Sequence, residues 1–212
     1  KPADVLAVVD AAASNIRRVK AHLRLFEASR EPPVASGKTP SDVFQLIVAV
    51  NRQLSLMLDT RPTPTMVFEQ LTEAAGTANR LLARFPDAAE VAAPPFERGK
   101  TPTDVHARLM RCMDQVRGVA KRLGWATLEV DWKLPAGQVV PSDVYDLATM
   151  LVAELHYMES RFPRSAGSRP LMDFPPGRKF PAHNVQQAGL IENQLAEVRK
   201  QIDAHPDLFK QR

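Results

Sequence analysis

Cysteine is nearly absent from this chain of 212 residues, and long apolar runs are missing. The single cysteine, Cys112, excludes an internal disulfide and a cysteine-based zinc cluster. No apolar stretch approaches the roughly 20 residues that a membrane-spanning helix needs. Glycine is scarce (9 residues) beside proline (18), which favours helices with stiff connectors over sheets with glycine turns.

The charge balance and the missing catalytic motifs narrow the function. A net charge of +4, with basic residues spread along the chain, argues against nucleic acid as a partner. The sequence has no HExxH, Cys-x-x-Cys, GxSxG or dinucleotide-binding pattern, and no two of its five histidines stand four residues apart. We therefore predict no metal and no cofactor, and a non-catalytic role is favoured over an enzyme.

Two decapeptides of the chain are closely alike: GKTPSDVFQL (37–46) and GKTPTDVHAR (99–108). Gly-Lys-Thr also ends the P-loop motif, which cradles phosphate. That motif needs another glycine five residues earlier, and these positions hold Pro32 and Pro94. Proline has no N–H and cannot adopt a positive φ, so the sequence argues against a nucleotide site at Lys38 or Lys100.

The shared phrase is instead typical of a helix start. In residues 39–42 the threonine suits the N-cap, the proline suits N1, and the aspartate at N3 can reach back as in a capping box. The aspartate also lies favourably at the positive end of the helix dipole. The same or a looser pattern marks six starts, at Pro2, Pro40, Pro64, Pro102, Pro141 and Pro181.

Apolar residues at three- and four-residue spacing follow these starts. They predict an all-α fold with six main helices and one short extended segment near 128–134. The helices are expected near 3–27, 40–58, 64–85, 102–123, 141–160 and 182–204. The link 59–63 is short enough for the second and third helices to form an antiparallel hairpin.

The helix starts also align the two halves of the chain with each other. Residues 2–5 match 102–105, and residues 40–44 match 141–145, in their proline, aspartate and valine positions. We predict a tandem duplication of a three-helix unit, with halves 1–98 and 99–212 forming a pseudo-two-fold helical bundle around a shared core.

Long proline-rich connectors in a compact helical protein are places where function concentrates. The connector 124–140 carries both tryptophans, Trp125 and Trp132, which form either an aromatic wall for a ligand or partner or part of the core; core packing is favoured. The connector 161–181 carries five basic residues among phenylalanines: Arg161, Arg164, Arg169, Arg178 and Lys179. Arginine suits carboxylate or phosphate, so these residues are candidates for binding an acidic ligand or partner, with a solvated basic loop as the alternative.

Arg17 and Arg117 occupy matching places in the two predicted halves. They flank one shared anion site if the pseudo-two-fold axis brings them together. The alternative is that each extends along its own helix toward solvent.

The leading functional hypothesis is a non-catalytic helical binding or scaffolding module that contacts a protein partner through its connectors and the groove between its halves. A sensor or carrier for a small anionic ligand is one alternative, and a helical metalloenzyme is another. Contact with a membrane surface stays open, although no transmembrane segment is predicted. The residue usage is typical of a GC-rich bacterial genome. Cysteine poverty and the first residue, Lys1, favour a periplasmic or otherwise extracytoplasmic location, with the cytoplasm as alternative.

Overall fold

Proline stands at the first position of every α-helix that is described over its full length. The computed structural model describes residues 16, 19–21, 23–24, 36–57, 61–129, 139–162 and 176–209. These ranges contain five full helices, α1 (Pro40–Met57), α2 (Pro64–Leu82), α3 (Pro102–Leu123), α4 (Pro141–Arg161) and α5 (Pro181–Ala204), and a 3-10 helix at Pro206–Phe209. They contain no strand, so the prediction of an all-α fold is confirmed.

The two similar decapeptides begin α1 and α3 with the predicted capping geometry. The Thr39 N–H donates to Asp42 Oδ2 at 2.8 Å, and the Asp42 N–H donates back to Thr39 Oγ1 at 3.2 Å. Thr101 and Asp104 repeat the pair at 2.8 and 3.4 Å. Each threonine hydroxyl therefore satisfies an N–H of the first turn, which no helical carbonyl can reach, and each aspartate satisfies the N–H of the N-cap threonine.

The starts of α4 and α5 keep one half of this arrangement. The Val140 N–H donates to Asp143 Oδ2 at 2.9 Å, and the Phe180 N–H donates to His183 Nδ1 at 3.1 Å. Valine and phenylalanine have no side-chain acceptor, so the reciprocal bond is missing at these two N-caps.

Two glycines in the left-handed region bound α3. Gly99 has φ 75° and Gly124 has φ 66°, a conformation that costs a residue with a Cβ. After Gly124 the Trp125 N–H returns to the Ala120 carbonyl at 2.9 Å. This closing bond fixes the direction in which the next connector leaves the helix.

Four helices enclose the hydrophobic core. α2 packs against α4 and α5, and α3 packs against the same two helices. The largest fully buried side chains include Leu71, Leu81, Leu109, Met113, Leu147, Leu151, Leu155, Ile191 and Leu195. Cys112 and Met113 both lie in this core. None of the helices within the described ranges combines the length and apolar character that crossing a membrane requires.

Helix α1 is attached to the other described helices by a few side chains. Phe44 packs against the core, and the Ser41 hydroxyl accepts the Glu129 N–H at 2.9 Å. Leu46, in the same helix, is 66% exposed. The expected hairpin packing of α1 along α2 is not observed, because the apolar face of α2 is covered by α4 and α5.

The chain divides into two compact units, residues 1–38 and 39–212. In the first unit, residues 16 and 19–21 are helical, and the rest of the predicted helix 3–27 lies almost entirely outside the described residues. The duplication and the division at residue 98 therefore stay predictions. Of the predicted extended segment 128–134, Leu128 and Glu129 are irregular and the remainder is outside the described ranges.

Candidate functional site

Trp125 lies half-buried against the core. Its ring meets Phe162 edge-on at a centroid distance of 5.6 Å, and Phe162 meets Phe85 in the same way at 6.2 Å. The Arg161 guanidinium covers the outer side, 5.7 Å from the Trp125 ring centroid and 5.6 Å from that of Tyr157. Trp125 thus helps to close one end of the core, and Arg161 is held by two aromatic faces.

Arg178, Lys179 and Phe180 lead directly into α5. Lys179 is buried, with Nζ 4.9 Å from the Phe68 ring centroid. Its N–H donates to Thr65 Oγ1 at 3.2 Å, which joins this stretch to the start of α2. Of the two basic residues directly before α5, both predicted as binding residues, Lys179 packs inward and Arg178 is exposed.

Three exposed residues, Phe96, Arg178 and Phe180, lie around the half-buried His183 at the start of α5, and these four residues are here called the Phe180 surface. The His183 ring lies 5.0 Å from the Phe96 centroid and 5.9 Å from the Phe180 centroid. The Arg178 guanidinium lies 5.6 Å from the Phe180 ring. Phe180 is 52% exposed and Phe96 44%, which is unusual for two neighbouring phenylalanines.

The remaining predicted binding residues are not brought together. Arg117 is half-buried and pairs with Asp114 on its own helix at 3.2 Å. Trp132, Arg164, Arg169 and Arg17 lie outside the described residues. The shared Arg17/Arg117 anion site consequently stays a prediction.

The connector between α2 and α3, residues 86–101, is described throughout and runs antiparallel to α5. The Gln201 side-chain amide donates to the Asp87 carbonyl at 3.3 Å, Asn193 donates to the Ala92 carbonyl at 3.5 Å, and Gln186 donates to the Pro94 carbonyl at 3.0 Å. These three donors lie along one face of α5. They satisfy main-chain carbonyls that have no partner in secondary structure.

Close packing at Gly189 allows the connector to approach α5. A Cβ on Gly189 would lie 2.5 Å from Pro94 Cγ and 2.6 Å from Arg108 Nη2. Only glycine leaves room for the proline ring at this point. Beyond Pro94 the connector continues to Phe96 and the Phe180 surface.

A partly buried ionic cluster joins α1 to α4. Arg52 Nη2 contacts Asp143 Oδ1 at 2.8 Å, and Arg52 Nε contacts Asp146 Oδ2 at 2.5 Å. Burial raises the pKa of Asp146, and the arginine opposes that rise. Asp143 also accepts the Val140 N–H, so one carboxylate both caps α4 and anchors α1.

Two other titratable side chains are buried on α3 without a catalytic arrangement. His106 lies near Asp143, but burial lowers its pKa, and its Nε2 has no hydrogen-bond partner among the described residues. Burial raises the pKa of Cys112 to about 12, and its Sγ donates to the Ala188 carbonyl at 3.2 Å. The neutral thiol is therefore a packing group rather than a nucleophile.

A basic cleft of about 340 Å³ lies between α3 and α5. Arg122 in this cleft pairs with Asp203 at 2.6 Å and is the main reason for the lowered pKa of that carboxylate. Arg199 makes no hydrogen bond or ion pair with any residue that the structure describes, and its guanidinium lies beside Gly118. The cleft thus has the charge and an available donor for a small anion.

Contacts between residues that are far apart in the chain were not predictable from the sequence. Nothing in the sequence around Arg52 marks it as the partner of two aspartates on α4. The connector's path was also missed, although Gly189 inside a helix was a usable signal, because an interior glycine often marks a close approach. Among the residues in the described ranges, no three histidine, cysteine or carboxylate side chains are grouped so that they could hold a metal ion.

No protein-family model, curated protein or solved structure matches this chain.

Proposed function

We propose that the protein is a non-catalytic binding module for a protein partner, which it contacts through the Phe180 surface. The observation that carries the proposal is the pair of exposed phenylalanines, Phe96 and Phe180, which both contact the His183 ring, with Arg178 beside Phe180. Aromatic residues and arginine are enriched at the energetic centres of protein interfaces.

The surface is held in place before any partner binds. The Phe180 N–H donates to His183, and the Asn184 side chain donates to the Pro64 carbonyl at 3.0 Å. A preorganised surface loses less conformational entropy on association than a flexible one. The exposed guanidinium of Arg178 favours a partner that presents an apolar side chain next to a carboxylate.

Affinity capture with a matched set of variants tests this proposal. Three chains are immobilised: the wild type, Phe180→Ala and Tyr157→Ala. Proteins that each chain retains from a lysate of the source cells are quantified by mass spectrometry. Tyr157 is the control because it is an exposed aromatic on a different helix. We expect a partner that the wild type and Tyr157→Ala retain and Phe180→Ala loses; if no retained protein depends on Phe180, the proposal is wrong.

A second candidate function, binding of a small anionic ligand, is favoured by the cleft between α3 and α5. Arg199 and Lys200 would bind a carboxylate or phosphate there, beside the Arg122–Asp203 pair. A thermal-shift screen of dicarboxylates and phosphate esters tests it. We expect stabilisation that Arg199→Gln removes; unchanged melting of the wild type across the screen would count against this function.

The proposal also includes a bacterial, extracytoplasmic setting, with the cytoplasm as the alternative. It is supported by the GC-rich residue usage and by a single, fully buried cysteine, which leaves the chain without an exposed thiol that oxidation would reach. Cell fractionation with an antibody against the protein distinguishes the two locations.

A further inference from the structure

The connector between α2 and α3 is buried with a period of three residues. After the turn at residues 86–87, Ala88, Val91 and Pro94 are half-buried, and the four residues between them are exposed. A polyproline II helix has three residues per turn, so one of its edges carries every third side chain. The burial pattern is therefore that of a polyproline II segment resting on one edge.

The length of the connector agrees with this conformation. From Asp87 to Pro94 a polyproline II helix, rising 3.1 Å per residue, extends about 22 Å. Its partners on α5 run from Gln201 to Gln186, and at 1.5 Å per residue that interval also covers about 22 Å. The two lengths are therefore similar between the hydrogen bonds at either end.

The hydrogen bonds from α5 to the connector are made to the connector's main chain. Gln186, Asn193 and Gln201 all donate to backbone carbonyls. The carboxylate of Glu197, whose pKa is lowered chiefly by Gln201, also receives the Ala89 N–H. Side-chain amides that bind carbonyls along an extended ligand accept many sequences, provided that the ligand backbone is extended.

Gly189 adds the selective element. The missing Cβ at this position creates a notch that the Pro94 ring fills. A ligand with proline at the matching place fits the notch and brings a backbone already restricted to the required φ.

We propose that this face of α5, the connector groove, is a binding site for an extended, proline-containing peptide segment of a protein partner, and that the connector fills it as an intramolecular ligand. The inference rests on the proposed function and names the class of its partner. Such a segment displaces the connector, docks along α5 and ends at the Phe180 surface.

Displacement is feasible because the connector is held by side chains alone. From residue 89 to residue 97 it makes no hydrogen bond to the backbone of another described element. The helices α2 and α3 on either side are held by their own core contacts, so the connector can leave without unfolding them. The tethered connector competes at a high effective concentration, so a partner segment must bind well or be presented locally.

Peptide binding to an emptied groove tests the proposal. In the full chain, residues 88–96 are replaced by glycine and serine at equal length, and circular dichroism confirms the helix content. A fluorescein-labelled peptide of residues 86–97, PDAAEVAAPPFE, is then titrated and followed by anisotropy. We expect saturable binding to the emptied chain and at least about 10-fold weaker binding to the wild type, in which the connector competes.

Matched substitutions locate the peptide. In the emptied chain, Gly189→Ala fills the notch and is expected to weaken binding at least about 10-fold. Gly76→Ala is the control, because a Cβ there meets only Arg80 Nη1 at 3.6 Å, an ordinary contact. Failure of the peptide to bind the folded emptied chain, equal binding by Gly189→Ala, or equal binding by the wild type would each overturn the proposal.

If the emptied chain does not fold, Val91→Asp in the otherwise unchanged chain places a charge on the inward edge and loosens the connector. The same peptide and the same outcomes then apply. Phe180→Ala separates this inference from the proposed function. If this variant no longer retains the protein partner in the affinity capture but the emptied chain carrying it still binds the labelled peptide, the proposed function and the connector groove are both supported. If the partner is retained despite Phe180→Ala, the proposed Phe180 surface is wrong. The effect of Gly189→Ala on peptide affinity tests the connector groove alone.

Discussion

Removing the guanidinium of Arg52 is expected to destabilise the protein by leaving two carboxylates without their cation. The Asp143 and Asp146 side chains are 9% and 11% exposed, and both contact Arg52 directly. Arg52→Met keeps most of the aliphatic length and removes the charge. The variant must then either bury unpaired carboxylates or protonate them, and both cost free energy.

The size of the effect follows from burial on the two sides of the contact. Breaking a fully buried ion pair costs about 3–5 kcal/mol, whereas an exposed pair contributes about 0–1 kcal/mol. Arg52 is 40% exposed, so solvent screens part of the interaction. We therefore expect the free energy of unfolding to fall by about 2 kcal/mol, which lowers the melting temperature of a chain of this size by roughly 4–8 °C.

Urea denaturation of four chains at pH 7 and pH 4 measures this prediction: wild type, Arg52→Met, Gln53→Met and Arg52→Met/Asp146→Asn. Gln53 is exposed on the same helix, so its substitution controls for the new methionine. Because the folded pKa of Asp146 is raised, protonated Asp146 favours folding at low pH, and ionisation costs stability as the pH rises through that pKa. Loss of Arg52 raises this pKa further, so the defect is expected to be larger at pH 7 than at pH 4.

The double variant isolates the cause. Asp146→Asn removes one uncompensated charge and is expected to restore part of the stability lost in Arg52→Met. If Arg52→Met is no less stable than Gln53→Met, if its defect is the same at both pH values, or if Asp146→Asn restores nothing, the buried-charge explanation is wrong.

Three further predictions concern helix ends and a buried acid, and urea denaturation measures each. Thr101→Ala removes the N-cap acceptor of α3 and is expected to cost about 1 kcal/mol. The exposed Thr103→Ala is the control, and an equal loss there would contradict the capping role. Gly124→Ala forces a Cβ into the left-handed region and is expected to cost about 1 kcal/mol; an unchanged midpoint would refute that strain. Burial raises the pKa of Glu154, whose Oε1 accepts the Leu128 N–H, so the ionised form opposes folding as the pH rises through that pKa. Glu154→Gln keeps an acceptor and removes the charge, so it is expected to stabilise the protein by about 1 kcal/mol at pH 7 and by less at pH 4. A pH-independent difference would contradict this assignment.

Helix positions could be predicted from the sequence because their signals are local. The starts at Pro40, Pro64, Pro102 and Pro141 coincide with the predicted residues, and α5 begins at Pro181, one residue early. A proline at N1 and a side-chain acceptor nearby fix a start without help from the rest of the fold. The end of α2 was less well predicted: the helix stops at Leu82, and Phe85 is buried by the turn that follows rather than by a continued helix.

The candidate site could be predicted only in part. The composition of the stretch around Arg178 and Phe180 identified it as a candidate, because arginine and phenylalanine in a connector are visible in the sequence. Its pairing with Phe96 was not visible, because those residues approach only after α5 and the connector have packed. The inward position of Lys179 was hidden for the same reason, since the Phe68 ring that it covers belongs to a different helix.

The capped starts fix which face of the helix each side chain occupies, independently of the length of the chain that precedes the helix. Since a few residues around Thr101 or Phe180 determine where the first turn begins, lengthening the polypeptide upstream leaves every later side chain on its original face. Insertions ahead of Gly37 and Gly177 are therefore expected to leave the core unchanged. For the protein engineer, these two glycines mark insertion points for a fluorescent domain or an epitope tag.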